Sequence, residues 1–419
     1  VRVLLKRGSK WIGQSIPTPP SYSKDSQKQI LISTYGLGER PAIGVKKGKD
    51  GIYISNSSTG VNNFAVVGIR FYAAELDAHA AIYWIGTGEK IRIEDCEMIG
   101  FGGNIQFSAP SGKMIKDIRL YRNIIRDAKS AIIYNMSDGQ VGAKPLGLYA
   151  QRTTDLLIEE NVVVNNGLYV GSEAKVPRFS WYAHQFYISD QNVRPKLLKN
   201  LVINTFKCNT STHQSCDNSN WPEGPNMTEL RSGGSIIGNL LVGNSSTNNA
   251  YYGPVTIKDN VLLEMTNLSK CSAGTSHPAC PGGGVSGAGF EMGKSGFAPI
   301  VNGVISNNLI AHKRTKANVT AIRVTNSTKP EVKSNVIFKS GTTSYSSGNT
   351  ISSDATPFVD ANRTLAKYSQ SIGLASSNEA FVNAAIQQSK EDWDDRLNAD
   401  EANKWIRAGY CQMGKPCTW

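Results

Sequence analysis

The sequence predicts a right-handed parallel β-helix: a solenoid of short strands over residues 1–345, followed by a linker and a mainly helical tail over 346–419. Three observations point to it. A chain of 419 residues exceeds what one ordinary hydrophobic core organises, so it holds several domains or one repetitive array. Its 40 glycines, with frequent Asn and Ser, require many turns. Finally, an Asn followed by a run of aliphatic residues recurs at irregular intervals. The runs are Asn123-Ile124-Ile125, Asn161-Val162-Val163-Val164, Asn200-Leu201-Val202-Ile203, Asn239-Leu240-Leu241-Val242, Asn260-Val261-Leu262-Leu263, Asn308-Leu309-Ile310 and Asn335-Val336-Ile337-Phe338.

Each unit is too short to bury its own apolar face, so it must stack on the next. An alternating strand precedes each Asn, as in Ile118-Arg119-Leu120-Tyr121 and Leu156-Leu157-Ile158-Glu159. Asn tolerates the left-handed backbone that a sharp corner needs, and its amide can bond the Asn of the neighbouring coil. Cys96, in Asp95-Cys96-Glu97-Met98, occupies the Asn slot of its coil and reads as a buried small residue rather than a reactive thiol. A β-propeller would show a blade signature and a leucine-rich array fixed Leu offsets; neither is present.

The chain opens on Val1 without Met or a charged-then-apolar leader, and so reads as a processed or trimmed product. Its first coils carry Val3-Leu4-Leu5-Lys6-Arg7-Gly8 and then Ile32-Ser33-Thr34-Tyr35-Gly36-Leu37-Gly38-Glu39-Arg40-Pro41. On these segments and the Asn coils, residues 1–345 resemble the pectate-lyase-like superfamily of secreted parallel β-helix proteins. Many bacterial members begin with a Lys-Arg-Gly-Asp segment; here Ser9 stands where Asp is common. The resemblance implies the fold. It implies a glycan-related function only broadly, because the superfamily holds lyases, hydrolases, epimerases and tailspikes.

Beyond residue 345 the pattern changes. Residues 346–356 are rich in Ser, Thr and Gly and read as a linker. Phe381, Val382, Ala385 and Ile386, then Trp393, Leu397, Trp405 and Ile406, suit two short amphipathic helices, the second capped by Asp400 and ended by Gly409. A solenoid exposes open edges, so the tail is expected to cap its end or brace its side.

The net charge of +12 favours an anionic partner, foremost an acidic polysaccharide. No Lys/Arg run with interleaved aromatics marks a nucleic-acid surface, and no apolar run is long enough for a membrane-spanning helix. Six of the seven cysteines form close pairs, Cys208 with Cys216, Cys271 with Cys280 and Cys411 with Cys417. They read as disulfide-closed loops in a secreted or periplasmic protein. Zinc is the competing reading, but no C-x-x-C or His cluster supports it. Calcium is a candidate cofactor, although no tight Asp cluster demands it. Oligomeric state is not encoded in any pattern found.

The strands preceding the corners carry an outward strip richer than a solvated solenoid face: Tyr149, His184, Tyr187, Glu229, Arg231, Glu291, Lys294 and Arg323. A salt-bridged polar face is the competing reading. Glu229 and Arg231 alternate in Met227-Thr228-Glu229-Leu230-Arg231, and Glu291 and Lys294 recur in a similar segment about two rungs, or roughly 10 Å, further on. Two carboxylates at such a separation suit glycoside hydrolysis. Tyr187 or His184 as acid or base, with Arg231, Lys294 and Arg323 as cations, suits β-elimination from a uronate. Trp181, Tyr182, Trp221 and Tyr251 lie in or beside insertions flanking the strip, where flat rings can stack on sugars. The sequence therefore favours a lyase acting on an acidic polysaccharide over a hydrolase using Glu229 and Glu291. A non-catalytic glycan-binding or spike β-helix comes next, and an epimerase is a minor further reading.

Overall fold

Alternating residues build the coils. In Gly51-Ile52-Tyr53-Ile54-Ser55, isoleucines point inward and are fully buried while Tyr53 and Ser55 are exposed. The same alternation repeats in each coil, and strands of successive coils pair in parallel, giving the right-handed parallel β-helix expected from the sequence. This computed structural model describes residues 1–16, 29–132, 134–135, 141–142, 144–171, 178–179, 183–205, 226–243, 247–250, 253–264, 288–293, 298–316, 320–340, 345 and 347–417. They fall into two units, one within residues 1–196 and one within 197–419.

In the first unit each coil contributes strands to three faces. The first face holds the opening halves of Asp50–Val67 and Ala80–Glu94, then Gly103–Ser108, Leu146–Gln151 and His184–Ile188. The second takes the closing halves of those long strands, then Ile115–Tyr121 and Thr153–Glu159. The third holds Ala42–Val45, Arg70–Ala73, Glu97–Ile99, Ile124–Arg126 and Val162–Val164. Inward residues stack by register: Ile52, Ile82, Ile105, Leu148 and Phe186 form one buried column, and Ile54, Trp84, Phe107, Ala150 and Ile188 another. The second unit repeats this plan. Its third face runs Leu201–Ile203, Leu240–Val242, Val261–Leu263, Leu309–Lys316, Val336–Ser340 and Thr350–Ser352. That last strand comes from the stretch read as linker, so the coils continue past residue 345.

The Asn corner joins the second face to the third. In the second unit, each Asn Nδ2 reaches the next Oδ1: Asn200 to Asn239, Asn239 to Asn260, Asn260 to Asn308, Asn308 to Asn335 and Asn335 to Asn349, at 2.9–3.0 Å. In the first unit, Asn123 bonds Asn161 in the same way, and Cys96 joins through its backbone N–H to Asn123 Oδ1. The left-handed residue, however, is the one before the Asn, not the Asn itself. Arg122, Glu160, Lys199, Asp259 and Asn307 have φ of 52°, 53°, 54°, 59° and 55°. This kink turns the following Asn inward along the helix axis. The strain of a non-glycine residue there, about 1–2 kcal/mol, is offset by amide bonds made away from water. Cys96 is free and buried, as expected, and burial pushes its thiol up to about 12.

The tail has three α-helices rather than two: α1 (Leu365–Ser371), α2 (Asn378–Ala385) and α3 (Ala399–Gly409). Phe381, Val382 and Ala385 are buried on α2, as their spacing predicts. The cap of α3 is Asn398, whose side chain accepts from Glu401 N, because extended backbone at Asn398 starts the helix before Asp400. Asp400 instead pairs with Lys199 at 2.6 Å. Gly409 is the last residue of α3. Further along α3, Asn403 Nδ2 donates to Gly238 O and Arg407 donates to Asp259 O and Asn307 O. The helix thus runs along the Asn corner of its own unit. Burial lowers the Arg407 guanidinium to about 10, against the pull of Asp259. Cys411 and Cys417 form the expected disulfide; Cys208, Cys216, Cys271 and Cys280 lie outside the described residues. No helix among the described residues is long and apolar enough to cross a membrane.

Candidate functional site

The faces differ in what they present. On the second face of the first unit, Arg119 pairs with Glu159 and Arg122 with Glu160, both at 2.7 Å, and both guanidinium groups lie over the Tyr121 ring. That is the solvated, salt-bridged surface weighed as the alternative for the outward strip. The first face of the same unit is aromatic. Register aligns Tyr53, Tyr83, Gln106, Tyr149 and Tyr187 into one outward column across successive rungs.

Ring contacts hold the column. Tyr53 and Tyr83 stack with centroids 5.7 Å apart, and Tyr149 and Tyr187 approach to 5.4 Å. Between them, the Gln106 amide folds back over Gly103: a Cβ at Gly103 would stand 2.3 Å from Gln106 Nε2. His184 is buried at the start of its strand, and its ring lies flat beneath Tyr187, 4.8 Å away at 17°. Both rings are thereby oriented. At the column's other end, His79 meets Tyr83 edge-on at 4.5 Å, and His79 Nδ1 lies 2.7 Å from Asp50 Oδ1. Burial first, then the neighbouring Tyr53, Asp50 and Tyr149, pushes the Tyr83 phenol above its ordinary range, so it stays a hydrogen-bond donor.

Of the residues nominated from sequence, the first unit brings together Tyr149, His184 and Tyr187. Tyr53, Tyr83, Gln106, His79 and Asp50 were not nominated. The alternation in Ala81-Ile82-Tyr83-Trp84 matches that around Tyr149 and was the available signal. In the second unit, Glu291 and Arg323 face each other in register and form an ion pair at 3.5 Å. Thr228 is in register with Thr247, and Thr247 with Phe290; beyond that point the pairing shifts, and Ala250 stands opposite Met292. The strand of Glu229 ends at Leu230, and Arg231 begins the turn to Gly233 and Gly234, whose positive φ values bend the chain. Lys294, Trp181, Tyr182, Trp221 and Tyr251 lie outside the described residues. Among the described residues no group of three or more His, Cys, Asp or Glu side chains converges as calcium or zinc ligands would. A separate cleft of about 220 Å³ lies between the tail and the third face of the second unit, lined by Glu264, His312, Lys339, Lys367 and Tyr410 among others.

No protein-family model matches the chain, and no curated protein does. Solved structures similar to it include the Dettilon tailspike protein, at 14% identity and a TM-score of 0.34, covering 84% of this chain and 61% of that one. A PL6-family alginate lyase follows at 9% identity and a TM-score of 0.37, covering 84% and 50%. DFA-IIIase from Arthrobacter chlorophenolicus A6 without its lid shares 10% identity at a TM-score of 0.33, covering 82% and 74%. The chain thus spans less than two thirds of the tailspike and of the alginate lyase.

Proposed function

We propose that the protein is an extracellular enzyme that cleaves an acidic polysaccharide by β-elimination. The aromatic column Tyr53, Tyr83, Gln106, Tyr149 and Tyr187 carries this reading. Flat rings at successive rungs offer stacking faces to successive sugars, and a net charge of +12 draws a polyanion. Tyr149 and Tyr187, the latter backed by His184, bind the chain, while tyrosine hydroxyls and the Gln106 amide donate to the uronate carboxylate and its developing enolate. The Cys411–Cys417 disulfide supports an oxidising compartment.

Hydrolysis is the second reading, favoured by the strands that carry Glu229 and Glu291, which lie two rungs apart in the second unit. Incubation with polygalacturonate, alginate and hyaluronan separates the two. Elimination leaves an unsaturated end that absorbs ultraviolet light; hydrolysis leaves only new reducing ends. New reducing ends without absorbance refute elimination, and binding without any cleavage refutes both in favour of a glycan-binding module.

A further inference from the structure

We infer that His79, oriented by Asp50 and seated against Tyr83, is the proton-accepting group of the aromatic column, with Tyr83 as the acid that serves it. The inference rests on the β-elimination reading and adds to it the residues that move the proton.

The geometry assigns the atoms. His79 Nδ1 lies 2.7 Å from the Asp50 carboxylate, and among the described residues this is the imidazole's hydrogen bond. An acceptor at that distance keeps the neutral ring's proton on Nδ1 and leaves the lone pair on Nε2. The His79 side chain is 39% exposed and that of Asp50 only 14%, so the ring is reachable from solvent while its orienting carboxylate is shielded. His184 does not offer this: it is buried, and its face is used by Tyr187. Tyr83, held between Tyr53 and the His79 edge, keeps its proton and is placed beside the base.

A uronate over Tyr83 then reacts in one balanced sequence. Nε2 of His79 takes the proton from C5, and the C–H electron pair becomes the C4–C5 double bond. The C4–O4 bond breaks with its electrons going to the glycosidic oxygen, which takes the Tyr83 hydroxyl proton. The His79 imidazolium returns a proton to the tyrosinate, so the enzyme is regenerated and no water is consumed. A purely structural Asp50–His79 pair, tying the starts of two coils, would instead show itself in stability.

The test uses the full chain and whichever uronate polymer it cleaves. His79→Ala is expected to lower kcat about 100-fold or more with KM changed by less than about threefold, the range for loss of a positioned base. Added imidazole should restore activity in proportion to its concentration. Tyr83→Phe should also lower kcat, whereas Tyr149→Ala should act mainly on KM. Circular dichroism checks that each variant is folded. An active His79→Ala enzyme, or a folded variant whose loss imidazole does not repair, overturns the assignment while leaving the substrate reading intact. A wild-type enzyme inert on every uronate polymer overturns the substrate reading and this assignment together.

Discussion

Replacing Asn260 by alanine cuts the corner ladder at its middle. Asn260 Oδ1 accepts from Asn239 N at 2.9 Å and Asn239 Nδ2 at 3.0 Å; its Nδ2 donates to Ile236 O, Lys258 O and Asn308 Oδ1, each at 2.9 Å. Asn239 Nδ2 keeps other acceptors in Leu197 O and Ile237 O, so the main orphan is the buried Asn239 backbone N–H. An unsatisfied buried donor costs about 1–3 kcal/mol, and the carbonyls that lose a partner add roughly 1 kcal/mol together. The expected loss is therefore about 3 kcal/mol. Asn349 ends the ladder half-exposed, where water can replace its amide, so Asn349→Ala is expected to cost about 1 kcal/mol or less. Urea unfolding followed by far-ultraviolet circular dichroism measures both, and hydrogen exchange at the Asn239 amide should accelerate in the Asn260 variant. If Asn260→Ala costs no more than Asn349→Ala, the ladder is not what stabilises the corner.

Two further outcomes follow from close contacts and burial. A Cβ at Gly147 would meet Gln185 O at 2.4 Å, whereas one at Gly103 meets only the movable end of Gln106. Gly147→Ala should thus lower the thermal midpoint clearly; Gly103→Ala should leave it nearly unchanged but weaken glycan binding by displacing the Gln106 amide, as calorimetry can read. Cys96, fully buried with its thiol raised to about 12, should resist iodoacetamide at pH 8 in the folded protein and react fully in denaturant; alkylation of the native chain at Cys96, seen by peptide mass spectrometry, would contradict the burial.

The coils were legible because one physical requirement, an amide stacked on an amide, admits essentially one residue type. It leaves Asn123, Asn161, Asn200 and their successors visible through insertions of any length. The kink before Asn123, Asn161 and Asn200 was hidden, since Arg122, Glu160 and Lys199 carry no turn signal and take positive φ only under tertiary pressure. Tyr149 and Tyr187 were readable as outward aromatics next to that pattern. Tyr53, Tyr83 and His79 lie upstream of the first Asn repeat, where alternation was the local signal, and cross-coil register is not a local property. Asn403 and Arg407 look like the polar side of a helix, yet their partners are backbone carbonyls of distant corners.

Those same tail contacts set the order in which the molecule can be completed. Each coil needs only its neighbours and can settle as it leaves the ribosome or a secretion pore. Helix α3 is made after the coils it touches, and it closes contacts with coils up to 201 residues earlier, as Lys199 with Asp400 shows. Such a clasp spans larger sequence separations than the coil-to-coil pairings beneath it, so it forms slowly and after those coils. Until it closes, the corner from Lys199 to Asn307 stands uncovered.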